Sequence, residues 1–191
     1  MPEELSLIKK ARNGDRKAFR QLVERHQQRI FWLAYDLTGD MQDAEDLSQE
    51  TFVRMFRSLG SFRGDARLSS WLHRITVNIW ISTRRRGREK MREMEQPLED
   101  GLVDTIADRS GSMGADPEKQ ADSDFTRKQI LKALDRLSDR ERAVFALRHF
   151  HGSKTTEIGK ALSLSPGTIK TLHFRAIKKM RNFLEYLSTE I

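Results

Sequence analysis

Between positions 93 and 124 this chain cannot build a core. The stretch carries 10 Asp and Glu against 2 Lys and Arg, is punctuated by Pro97, Gly101, Gly111, Gly114 and Pro117, and has few large apolar side chains. That is too little burial to offset the entropy of ordering it, so it reads as a flexible acidic linker. Two basic blocks remain. Residues 1–92 hold 19 Lys and Arg against 12 Asp and Glu, and residues 125–191 hold 14 against 6. In a chain of 191 residues each block has the size of a small domain and is expected to bury a modest core of its own. The two blocks do not resemble one another, so no internal repeat is present.

Both blocks repeat their apolar residues at helical, not strand, spacing. Phe19, Leu22, Val23, Ile30, Leu33, Ala34 and Leu37 recur every three or four positions and stop at Thr38-Gly39, which predicts a helix from about Arg16 to Leu37. Asp40 is placed to cap the next helix, whose stripe runs through Ala44, Leu47, Thr51, Phe52, Met55, Phe56 and Leu59. Gly60 ends it. After a polar stretch from Ser61 to Arg67, a third helix turns Leu72, Ile75 and Ile79 inward and sets Trp71, Arg74, Asn78 and Arg85 on an adjoining face. The last block divides into helices at about Asp124 to Leu137, Ser138 to His149, Thr155 to Leu162 and Pro166 to Leu187. The expected fold class is all-α: two small helical domains joined by the acidic linker.

The sharpest local pattern is a helix-turn-helix over Thr155 to Ile177. Ile158, Leu162, Ile169 and Leu172 supply a shared core, Gly159 permits close approach, and Leu164 plugs the turn. Ser165 caps the second helix and Pro166 takes its first position, where a missing amide costs nothing. Ser163 stands where such turns usually have glycine, so the turn is either strained or built on another geometry. The exposed face of the second helix offers Thr168, Lys170, Thr171, Phe174, Arg175, Lys178 and Lys179. Hydrogen-bonding groups lead and cations follow, which suits base edges first and phosphates second. An ordinary hairpin with a solvated basic face is the plainer alternative.

Composition limits the partners. The net charge of +7 favours a polyanion without saying which. With no cysteine, disulfides and thiolate metal sites are excluded. No apolar run has the length of a signal peptide or a membrane span, so a soluble, cytoplasmic protein is expected. A phosphate-cradling GxxxxGK[ST] and a His-Glu-x-x-His are both absent. His26, His73, His149, His151 and His173 form no ligand set, and His149 and His151 read as a surface turn. No enzyme activity, cofactor, metal or small-molecule substrate is expected.

The segments "DAEDLSQETFVRMFRSL", "SFRGDARLSSWLHRITVN" and "GTIKTLHFRAIKKM", taken together, closely resemble the sigma-E-like, extracytoplasmic-function sigma factors of bacterial RNA polymerase. The chain departs from that family at Ser153, Lys154 and Thr155, where a Leu-Ser-Tyr-like run is usual. The resemblance implies a first domain (1–92) that binds polymerase core and the minus-ten promoter element. It implies a second (125–191) that binds the minus-thirty-five element, with the linker (93–124) threading the polymerase's nucleic-acid channels. It also implies an anti-sigma partner and work at the nucleoid.

On that resemblance, Asp43, Asp46, Leu47, Gln49, Glu50 and Val53 form the polymerase-binding face, a mixed acidic and amide surface suited to a basic coiled coil. Without it, a solvated acidic face would be the better reading. Phe62, Arg63, Gly64 and Asp65 lead a small, polar loop able to enclose an unstacked base, and Arg74 and Asn78 face the same strand from the following helix. Trp71 is either a stacking platform or core. Arg85, within the run Arg84, Arg85, Arg86, Arg88, Lys90 and Arg92, is placed to follow duplex phosphates. Ser165, Pro166, Thr168, Lys170, Thr171, Phe174, Arg175 and Lys178 are the minus-thirty-five residues. Two rivals stand beside this reading: a stand-alone helix-turn-helix regulator of a palindromic site, and a basic adaptor with no sequence-specific effect on DNA.

Overall fold

A computed structural model describes residues 2–64, 66–94 and 129–189. Among them are eight helical segments and no strand: α1 (Pro2–Arg12), α2 (Arg16–Thr38), α3 (Met41–Ser58), α4 (Leu68–Met94), α5 (129–135), α6 (Asp139–Phe145), α7 (Thr155–Leu162) and α8 (Pro166–Thr189). A 3-10 turn, Leu59–Ser61, follows α3, and a π-turn, Ala146–Phe150, extends α6. The linker and the start of the helix expected from Asp124 lie outside the described residues.

Local chemistry sets the helix ends. Asp15 Oδ1 accepts from the amides of Lys17 and Ala18 at 2.9 and 3.1 Å, satisfying donors that a helix start leaves over. Gly39 closes α2 in the left-handed region at φ +82°, donating its amide to Tyr35 O. Asp40 then caps α3 through the amides of Gln42 and Asp43. In the rear block Ser138 and Glu141 bond each other's backbone amides reciprocally at the start of α6.

Helix α1 was not expected, because its few apolar residues make no long stripe. It is held by Ile8, buried against α2, by ion pairs Glu3–Arg25 and Glu4–His26, and by Arg12 donating to Gly60 O. The run from Arg84 to Arg92 is helical, continuing α4 to Met94. Ser163 keeps the left-handed turn that glycine would serve, at φ 54° and ψ 46°, a strain of about 1–2 kcal/mol for an L-residue. Two side chains depart from the pattern. Phe56 is 66% exposed, edge-on to Phe19, and Trp80, on α4, is buried.

Each block buries a modest core of its own, as expected, and the two are joined. One cluster belongs to the front helices (Ile8, Leu22, Ile30, Met55, Leu68, Leu72) and one to the rear (Ala133, Leu134, Phe145, Ala176, Met180). A third crosses between them, joining Leu33, Leu37, Leu47, Val77 and Trp80 to Val144, Leu147, Ile158 and Ile169. The blocks therefore pack on each other, and polar bonds register the seam. Arg142, 2% exposed, donates from Nε to Asp36 O and from Nη1 to Asp135. Burial lowers its pKa, and Asp135 pulls it back up. Arg29 donates to His151 O at 3.0 Å, Ser70 Oγ to Glu157 at 3.3 Å, and Arg84 and Arg88 both pair with Asp139.

Candidate nucleic-acid and polymerase interface

Three surfaces take shape on this frame. The first lies on α3, where Asp43, Asp46 and Gln49 are exposed and Glu50, half-buried, pairs with Arg54 at 2.8 Å. Val53 is exposed beside them, and so is Phe56, which the sequence reading assigned to the core. The signal for Phe56 was its place one turn after Val53, on the same face. Leu47 is buried in the bridging cluster. It still borders a groove of about 350 Å³ formed with Asp43, Asp46, Glu50, Ile79, Trp80 and Arg84. The groove thus has an acidic rim, an apolar floor and one lining cation, Arg84, whose guanidinium stands 5.6 Å over the Trp80 ring.

The second surface is a cleft of about 990 Å³ between the loop after α3 and the start of α4. It gathers Phe62, Arg63, Gly64, Trp71 and Arg74. Gly64 makes the bend at φ +80°. Phe62 is buried, its ring 5.0 Å from that of Trp71, and both belong to the front cluster, so each presents one edge to the cleft and one to the core. Arg63 and Arg74 are exposed. Asp65 lies outside the described residues. Asn78 and Arg85 are not brought into the cleft; they continue the exposed stripe of α4 beyond Arg74, and Arg85 faces Glu89 at 3.7 Å. The far wall of the cleft comes from the rear block, where α7 sets Thr156, Glu157 and Lys160 over it.

The third surface is α8. Ser165 Oγ accepts the Thr168 amide at 3.1 Å and meets Thr168 Oγ1 at 2.9 Å, and Thr171 Oγ1 donates to Gly167 O. Those hydroxyls are therefore engaged within the helix start that Pro166 opens. Lys170, Phe174, Arg175 and Lys178 stand exposed, Phe174 at 69%. The turn before α8 is as tight as the motif requires: a Cβ on Gly159 would lie 2.9 Å from Leu164 O. The backbone at Ser153–Thr155, where the chain departs from the family, is tied down. The Ser153 amide reaches Leu147 O, and the Lys154 amide donates to Glu157 Oε2 at 2.8 Å, which starts α7.

The histidines do not behave as a surface turn. His149 is exposed and bonded to His173. His151 is buried between the blocks, its Nε2 2.9 Å from Asp36 Oδ2. His73 is buried beside it, ring centroids 5.6 Å apart, and its Nε2 finds no hydrogen-bond partner among the described residues. Burial drives its pKa down from 6.5 to about 3, with repulsion from His151, Arg29 and His26 adding to the shift. No group of three or more His, Asp or Glu with metal-binding geometry occurs among the described residues. No described helix is long and apolar enough to cross a membrane.

Comparison with known proteins agrees with this layout. Residues 22–90 match the model of sigma-70 region 2 and residues 127–180 that of sigma-70, region 4. The chain is 30% identical to the ECF RNA polymerase sigma factor SigW of Bacillus subtilis over 181 residues, 94% of this chain and 96% of that protein. It is 33% identical to SigM of Mycobacterium tuberculosis, covering 93% and 83% respectively. With SigE of Mycolicibacterium smegmatis it shares 34% identity over 89% of this chain, spanning 63% of that longer relative. Among solved structures, the sigma factor RpoE of Bartonella quintana, in complex with the anti-sigma factor NepR, superposes with a TM-score of 0.67 at 24% identity, covering 88% of this chain and 98% of that one. CnrH, in complex with the cytosolic domain of CnrY, gives 0.65 at 23%, covering 94% and 96%. The chain belongs to the extracytoplasmic-function sigma factors, the promoter-selecting subunits of bacterial RNA polymerase.

Proposed function

We propose a division of labour among the three surfaces of this transcription initiation factor. The α3 face and its groove dock polymerase core, through Asp43, Asp46, Gln49, Glu50, Val53 and Phe56. Opposed charge steers the encounter and the apolar floor resists dissociation. The cleft at Phe62, Arg63, Gly64, Trp71 and Arg74, with Asn78 and Arg85 along α4, takes the melted minus-ten strand by stacking and phosphate contact. Helix α8 reads duplex at the minus-thirty-five element with Lys170, Phe174 and Arg175, while Lys178 follows the backbone.

The observation that carries this reading is the pairing, in one chain, of an exposed helix carrying Lys170, Arg175 and Lys178 with a separate cleft lined by Phe62, Arg63, Trp71 and Arg74. A stand-alone regulator has no use for the cleft. In the closed arrangement α7 stands over it, so strand capture requires the rear block to move away first. An anti-sigma factor is a third partner; the support is that the solved relatives NepR–RpoE and CnrY–CnrH are such complexes. The factor is non-catalytic, needs no cofactor, and works in the cytoplasm at the nucleoid.

Run-off transcription with purified core and a promoter library tests the proposal. Core plus this chain is expected to initiate from a distinct subset of promoters that core alone ignores. Binding of a palindromic duplex by the chain alone, with no gain of initiation by core, would instead make it a repressor-type regulator.

A further inference from the structure

The imidazoles of His149, in the π-turn after α6, and His173, on α8, meet with 2.8 Å between their Nε2 atoms. Their planes differ by 9° and their centroids lie 5.0 Å apart. Two imidazoles set end to end across a hydrogen bond of that length have centroids about 5 Å apart. The rings are therefore nearly coplanar and edge to edge, with the two nitrogens aimed at one another. A metal ion on that line, at about 2.0 Å from each nitrogen, would need about 4 Å between them. What fits is one proton.

In the neutral pair, Nε2–H of one ring donates to the bare Nε2 of the other, which keeps its own proton on Nδ1. One added proton enters at the donor ring's Nδ1 and turns the bridge into a charge-assisted N–H···N bond, which strengthens it. A second would place hydrogen on both Nε2 atoms and break it. The pair thus holds one positive charge well and two badly.

Its surroundings leave that charge poised. The His149 ring lies on Phe145, centroids 4.5 Å apart, a π-face that favours a cation. Against it work burial, then His173, then Arg148 of the same turn, and together they hold His149 below the usual histidine range. Arg148 is itself turned toward Ser153 O. On α8, Lys170 stands exposed one turn before His173, while Arg175, two residues after it, projects from the opposite side of the helix. The pair therefore sits on the flank of the helix that reads duplex, beside Lys170, with His149 held toward its neutral form in the unbound chain. A polyanion favours the cationic form of any group beside it.

We infer that the His149–His173 bridge is a proton-linked DNA contact: duplex binding by α8 loads one proton onto the pair, which then meets a backbone phosphate as a bridged cation. The inference rests on reading α8 as the duplex-binding helix.

Calorimetry of the full chain against a mixed-sequence duplex at low salt, with EDTA present and in two buffers of different ionisation enthalpy, counts the protons taken up. Uptake approaching one proton is expected, with affinity falling by at most about ten-fold per unit between about pH 6 and pH 8. His149→Gln and His173→Gln should each abolish the uptake and flatten the pH slope, while binding persists at its high-pH level. Uptake that is absent in the wild-type chain, or unchanged in both variants, overturns the inference. Lys170→Ala separates the two layers. If it weakens binding while no proton is taken up, only the proton link fails; if the duplex does not bind, or binds Lys170→Ala equally well, the reading of α8 fails with it. Should either glutamine variant not fold, imidazole nitrogen NMR of the wild-type chain decides: two independent titrations that do not respond to duplex overturn the bridge.

Discussion

The Nε2 of His151 lies 2.9 Å from a carboxylate oxygen of Asp36, a bond that ties the rear block to α2 of the front one. Around it the seam is polar at its edges and apolar at its centre. Leu33, Leu37, Val77 and Trp80 meet Val144, Leu147 and Ile158 in the middle. Arg142, Arg29, Asp139 and Glu157 make the surrounding bonds. Apolar burial supplies most of the attraction, and the directed bonds fix the register. Closure places α7 over the cleft at Phe62 and Trp71 while leaving the α3 groove and the face of α8 in the open, so the three surfaces are not equally accessible in the unbound chain.

Arg142→Ala should loosen that closure. The substitution removes donors to Asp36 O and to Asp135, and lost bonds to a charged, buried group cost about 1.5–3 kcal/mol. Because the chain has no cysteine, one spin label can be placed in each block through engineered cysteines. The label distance is expected to lengthen and broaden in the variant, and affinity for a single-stranded oligonucleotide to rise. An unchanged distance distribution would mean that Arg142 serves only the rear block.

Acidification should destabilise the folded chain through His73. Its folded pKa, about 3, lies below the ordinary imidazole value of 6.5, so between those limits the unfolded state binds the extra proton. The associated stability is fully present above about pH 6.5 and is lost as pH falls toward 3, by at most about 1.4 kcal/mol per unit. Since His151 forms part of the cover over His73, opening of the seam should share this pH dependence. Denaturant unfolding of wild type and His73→Phe at a series of pH values checks it. The variant should show a shallower loss, and parallel curves would refute the assignment.

Two neighbouring residues should respond in opposite directions. Gly159→Ala forces a Cβ to within 2.9 Å of the Leu164 carbonyl and 3.3 Å of Ile169 Cδ1. Backbone cannot yield cheaply there, and a loss of about 1–3 kcal/mol is expected. Ser163→Gly relieves a left-handed residue, φ 54°, and should gain about 1 kcal/mol, less some added freedom in the unfolded chain. Thermal melts of the full chain read both signs.

Helix positions were legible because capping and periodicity act locally. Asp15, Asp40, Ser138 and Ser165 each cap a helix start within three residues of themselves, and Gly159 marks a close approach five residues from its partner, Leu164. The seam was not legible. Asp36, Arg29 and His151 are 115 or more positions apart in their pairings, and a buried Arg142 looks in sequence like any surface cation. Phe56 misled for a related reason: an apolar residue on a helix flank joins the core or an interface according to what stands opposite, which periodicity does not encode. The exposure of Lys170, Arg175 and Lys178 on α8 was legible because the stripe that buries Ile169 and Ala176 leaves them on the other sides of the helix. The cleft residues came from the family resemblance, since nothing local distinguishes a base-capturing loop from a turn.

The proposed division of labour is tested most sharply by substituting one residue on each DNA surface. Arg175 is exposed on α8 and does not line the cleft; Asn78 is exposed on α4, one turn beyond Arg74, and does not line the α3 groove. If Arg175 reads a base or clamps a phosphate in duplex, Arg175→Ala should cost about 1–3 kcal/mol of closed-complex affinity and flatten preference at the upstream element. The rate of strand opening, once bound, should be unchanged. If Asn78 contacts the displaced strand, Asn78→Ala should leave closed-complex affinity intact and slow opening, read by permanganate reactivity of unpaired thymines. Because the two side chains stand on separate modules with no shared partner, their effects on overall initiation should add. Equal loss at both steps from either substitution would mean that the modules do not divide the promoter between them.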